Sequence, residues 1–126
     1  TGAPRLTNWI CACDDLAATL ARAPAGSGTA VDLQRGDFRW RMAVPASGRL
    51  PFGGSFPALI QWQGPHPAAR LPDTGARLAR LEVFNPEVEA LREAVGMADP
   101  RVVFLHMAQP ALRAEIDTPH GRRVLE

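Results

Sequence analysis

Five residues in the middle of the chain have the chemistry to hold a small organic molecule: Trp40, Arg41, Gln61, Trp62 and His66. Indole rings offer flat apolar surface for stacking. A guanidinium presents a planar fork of donors that suits a carboxylate or phosphate, and Arg39 shares a strand face with Arg41. An imidazole can act as acid or base near neutral pH, and His66 follows a predicted strand where it could reach the mouth of a cavity. These five are the candidate ligand-binding residues, and no catalytic residue is assigned.

The other chemically capable residues read as structural. Cys11 and Cys13 flank Ala12 on a predicted strand and point to one face, too close in sequence for a structural zinc pair, so buried free thiols are expected. Asp14 and Asp15 mark a helix start. His106 lies on a strand face with Val102 and Phe104, and His120 sits in a tight, solvated turn. Glu115 and Asp117 share a strand face with Arg113, which predicts a charge ladder. No nucleophile elbow, phosphate loop or dinucleotide fingerprint is present.

Composition narrows the field further. The 126 residues are 46% hydrophobic and 21% charged with a net charge of +1, the profile of one globular domain. All basic residues are arginines, so Schiff-base lysine chemistry is excluded, and the absence of tyrosine removes that general acid. Scattered charge gives no field that would collect nucleic acid. No apolar run approaches the ~20 residues of a membrane span. Without a charged-then-apolar leader at Thr1, the cytoplasm is the expected location.

The elements that position these residues follow a repeated pattern. A strand from Leu6 leads to a helix that starts at Asp14 or Asp15 and ends before Pro24. Strands over Val31–Leu33, Phe38–Val44 and Phe56–Trp62 follow, the second with Phe38, Trp40 and Met42 on one face. A Pro- and Gly-rich stretch from Gly64 to Gly75, with Pro65, Pro67 and Pro72, links the halves. The second half opens with a strand over Leu78–Phe84 and a helix with Asn85 as N-cap, Pro86 at its first position, apolar Val88, Leu91 and Val95, and Gly96 as its stop. Strands over Arg101–Met107, Leu112–Ile116 and Arg123–Leu125 complete it.

Strand, helix and three strands, repeated, is the module of the vicinal oxygen chelate superfamily. Arg39-Trp40-Arg41, Pro51-Phe52, Leu59-Ile60-Gln61-Trp62 with His66-Pro67-Ala68, and Leu112-Arg113-Ala114-Glu115-Ile116-Asp117-Thr118-Pro119 with Gly121 resemble the glyoxalase-like domain proteins of bacteria. The resemblance implies an α+β fold of two paired βαβββ modules, residues 1–67 and 76–126, whose curled mixed sheets surround a cleft in a single domain. Proteins of this type usually carry a further N-terminal module, so the chain is expected to be the C-terminal part of a longer protein.

Enzymes of the superfamily hold a divalent metal on His, Gln or Glu side chains of the first and last strands of a module, where it polarises vicinal oxygens. The matching positions here are Thr7 or Asn8, Leu78, Gln61 and the terminal Glu126. They do not make a set, so no cofactor is expected unless ligands come from outside this chain. The first reading is therefore a metal-independent small-molecule binding domain. The alternative is a lyase or dioxygenase-like enzyme with ligands elsewhere, and a third is an interaction module that forms a homodimer through its sheets.

Overall fold

The computed structural model describes residues 5–64 and 66–126; Pro65 of the expected linker lies outside them. Eight strands and two α-helices form an α+β fold of two four-stranded mixed sheets. The chain divides into two compact units, Trp9–Pro72 and Asp73–Glu126, the latter joined by the segment up to Asn8.

In the unit Trp9–Pro72, β1 (Ile10–Ala12), α1 (Leu16–Arg22), β2 (Thr29–Arg35), β3 (Phe38–Val44) and β4 (Ala58–Gln63) build a sheet ordered β1-β4-β3-β2. Of the two candidates Asp14 and Asp15, it is Asp15 that caps α1, its carboxylate accepting the N–H of Ala18 at 3.1 Å. β2 and β3 pair along seven residues each and turn through Gly36 and Asp37 alone. β2 is therefore longer than its apolar residues suggest, because ladder bonds form between backbones whatever the side chains.

The starts of the first and fourth strands also differ from the sequence reading. β4 begins at Ala58 and not at Phe56, whose N–H donates to Pro51 O at 3.1 Å and so closes a loop instead of entering the ladder. The first strand begins at Ile10 and not at Leu6. Leu6 N–H donates to Glu126 O at 2.9 Å, which attaches the segment before Trp9 to the end of the C-terminal half.

The other unit contains β5 (Arg77–Asn85), α2 (Val88–Val95), β6 (Val102–His106), β7 (Ala111–Thr118) and β8 (Gly121–Leu125). Here α2 starts two residues later than expected. Asn85 ends the strand and its side-chain oxygen accepts Glu87 N–H at 2.8 Å, a turn that uses the same chemistry as an N-cap. Gly96 ends the helix in the left-handed conformation, as its position predicts. Leu91 and Val83 are fully buried, and Leu81, Phe104, Leu112 and Ala114 complete the core of this unit.

Both halves run strand, helix and three strands. Their sheets are wired differently. β1 lies at an edge and pairs in parallel only with β4, the last strand of its half. β5 lies inside its sheet, parallel to β6 and antiparallel to β7, in the order β6-β5-β7-β8.

Candidate functional site

Register and pleat sort the side chains of the first sheet onto two faces, because directly opposed residues share a face and neighbours in sequence do not. Leu33, Trp40 and Trp62 are opposed across β2, β3 and β4, and Val31, Met42, Ile60 and Ala12 form the next row. Asp32, Arg41 and Gln61 form a row on the other face. Helix α1 lies on that second face, since Leu16 N–H donates to Gln61 Oε1 at 2.7 Å. Leu16, Ala43 and Leu59 are buried there.

The helix-free face is apolar and aromatic. Trp40 and Trp62 meet with ring centroids 5.4 Å apart at 46°. The imidazole of His66 sets its edge against Trp62, with centroids 4.8 Å apart. His66 is held in place because Nδ1 accepts the N–H of Ala68 at 3.0 Å, capping the 3₁₀ turn Pro67–Arg70. Trp40, Met42 and Trp62 are half-buried and Ile60 is buried, while Ile10, Val31 and Leu33 are exposed. Tilted rings of this kind offer a stacking surface at their outer faces.

The five predicted site residues are thus divided. Trp40, Trp62 and His66 come together. Arg41 and Gln61 stand on the opposite face, as strand alternation demands of residues adjacent to Trp40 and Trp62, and so do not line one pocket with the tryptophans. Arg41 is committed to Asp32, with Nε 3.0 Å from the carboxylate. Gln61 is committed to the helix. Sequence reasoning missed Val31 and Leu33 as members of the aromatic face, although their alternation with Asp32 carried the signal.

In the other unit, the face of its sheet opposite the core carries an ionic lattice. Arg80 bonds Glu82 at 3.0 Å, Arg113 reaches Glu82 at 2.9 Å and Glu115 at 2.5 Å, and Arg122 joins Glu115 at 2.9 Å to Asp117 at 2.7 Å. This is the ladder the sequence predicts. The hydrogen bond from Arg113 holds Glu115 below the usual carboxylate range, and that from Arg122 does the same for Asp117. Carboxyls held ionised in this way have no proton to donate near neutral pH.

A family model described as a glyoxalase-like domain matches residues 1–97. The chain belongs to the glyoxalase-like domain family. No curated protein and no solved structure matches it. The match spans the whole first sheet, with its aromatic face, together with β5 and α2.

At the positions that match the metal ligands of the wider superfamily, the described residues of this glyoxalase-like domain do not make a set for a divalent ion. Gln61 Oε1 is occupied by Leu16 N–H and lies on the helix side of its sheet. Thr7 and Asn8 precede β1, with Thr7 Oγ1 3.4 Å from Asn8 Oδ1, and Leu78 has no donor atom. The carboxylate of Glu126 lies 3.8 Å from Arg113. Among the described residues no three His, Cys, Asp or Glu side chains form a group that could hold a metal. Cys11 and Cys13 are free thiols but half-buried instead of buried, and Cys13 Sγ donates to Ile60 O at 3.5 Å. His106 and His120 are exposed. No helix among the described residues is long and apolar enough to cross a membrane.

Proposed function

We propose that this glyoxalase-like domain binds a small molecule with a flat apolar body on the helix-free face of its first sheet, without a metal held by its own residues. The carrying observation is the continuous aromatic run from Trp40 through Trp62 to His66. Two indoles and an imidazole edge give a ligand stacking area, and the adjoining Val31, Leu33 and Met42 extend it with aliphatic surface. Such a mostly apolar lining with one polar ring is the usual composition of a small-molecule site.

Titration with the neutral fluorophore 1-aminoanthracene tests the reading. Saturable quenching of tryptophan emission is expected, with affinity reduced about five- to tenfold in Trp62→Leu, in line with the loss of an aromatic pair and its buried area. An unchanged affinity in a folded Trp62→Leu protein would overturn it. Metal analysis after incubation with Ni, Zn, Mn or Fe salts supplies the second check. Stoichiometric retention of any of them would contradict the metal-free part of the proposal.

A further inference from the structure

We infer that the ligand of the aromatic face carries a carboxylate, read by Arg35; this rests on the binding role proposed above. Register places Arg35 on the same face as Val31 and Leu33, directly opposite Phe38 at the closed end of the β2–β3 hairpin. The other charged side chains of these two strands, Asp32, Arg39 and Arg41, fall on the helix side. Along the helix-free face the four strands present Ile10 and Ala12, then Ala58, Ile60 and Trp62, then Phe38 to Val44 at alternate positions, then Thr29 to Arg35 at alternate positions. Arg35 is the one formal charge in that set.

Arg41 has Asp32 as its partner, whereas no ion pair among the described residues involves Arg35, and Asp37 follows in the turn outside the ladder. An apolar aromatic surface that ends in a single guanidinium matches an amphipathic anion: the body stacks and the head meets a bidentate donor. A cation would be repelled at that end, and a neutral molecule would leave the guanidinium unused. Arg35 stands two residues beyond Leu33, which faces Trp40, so its Cα lies roughly 7 Å along the strand from the indole row. That span suits a bicyclic aromatic acid, with the arginine stem lying along the sheet.

The test compares 2-naphthoate with its neutral isostere 2-naphthamide by tryptophan quenching at low ionic strength. The acid is expected to bind about three- to fivefold tighter, the range of an exposed ion pair, with the advantage shrinking as salt rises. Arg35→Gln should erase the advantage while leaving 2-naphthamide binding unchanged, and Arg39→Gln, on the helix side, should preserve it. Equal affinities for the two compounds, or a preference that survives Arg35→Gln, would overturn the inference and leave the aromatic platform standing. If neither compound binds, the platform itself fails and the carboxylate assignment falls with it.

Discussion

Gln61 Oε1 accepts the backbone N–H of Leu16 at 2.7 Å across 45 residues of sequence, so a strand side chain completes the N-terminus of helix α1. The first N–H groups of a helix have no partner within it, and Asp15 satisfies only that of Ala18. Gln61→Leu should therefore lower stability by about 1 kcal/mol, the usual effect of losing a cap, measured as a shift in urea midpoint at constant slope. Gln61→Glu keeps an acceptor and places negative charge at the helix's positive end, and should recover most of the loss. Neither change should alter the response to added divalent metal.

His66 has two separable duties. Its Nδ1 caps a 3₁₀ turn, and its ring edge packs on Trp62. Asn supplies the same kind of acceptor without the ring. His66→Asn should leave the urea midpoint nearly unchanged yet weaken aromatic ligands by about 0.5–1 kcal/mol, whereas His66→Ala should lower both. Equal loss of stability in the two variants would show that the cap is immaterial.

Acid should unfold the protein through its paired carboxylates. The Arg113 hydrogen bond lowers Glu115 from 4.5, the Arg122 hydrogen bond lowers Asp117 from 3.8, and the Arg101 side chain followed by its backbone N–H brings Asp99 from 3.8 to about 2. A carboxyl with a depressed folded value binds protons more readily when unfolded, so stability rises with pH in that window. The contribution is complete above 4.5 for Glu115 and above 3.8 for the two aspartates, and fades below, for Asp99 down to about 2. Urea midpoints measured from about pH 6 to about pH 2.5 should fall accordingly. Glu115→Gln should flatten the upper part of that fall.

Gly28 and Gly121 share a φ of +106° but not its consequences. A Cβ at Gly28 would collide with the backbone of Val44 and Pro45, while at Gly121 it would meet nothing nearer than Arg123 Nη1 at 3.6 Å. Both substitutions to Ala carry backbone strain of about 1–3 kcal/mol. Gly28→Ala adds a collision with backbone that cannot swing aside, so its melting temperature should drop well below that of Gly121→Ala.

The sequence made local structure readable where one side chain decides it. Strand β3 runs Phe38–Val44 as its alternation predicts, Asp15 caps α1, and Gly96 closes α2. It was less informative where two structures use the same chemistry. The Asn85 oxygen can cap a helix or close a turn, and only the path of β5 selects the turn. It was silent where distant segments decide. Nothing near Gln61 announces that Leu16 will claim its oxygen, and nothing near Leu6 announces Glu126. For the candidate site, alternation alone already separates Trp40 from Arg41. The five candidate ligand-binding residues therefore cannot all share one face of the sheet.

The different wiring of the two sheets makes their first strands unequal in durability. β1 is three residues long and bonded on one side, so its amides can open without disturbing the β2–β3–β4 ladder. β5 is nine residues long and bonded on both sides; opening it separates β6 from β7 and dismantles the sheet. Amide protons of β5 should then exchange with solvent only through cooperative unfolding of their unit, and those of β1 through local fraying. Two segments that occupy the same place in the repeat would thus exchange by different routes, one with its whole sheet and one by itself.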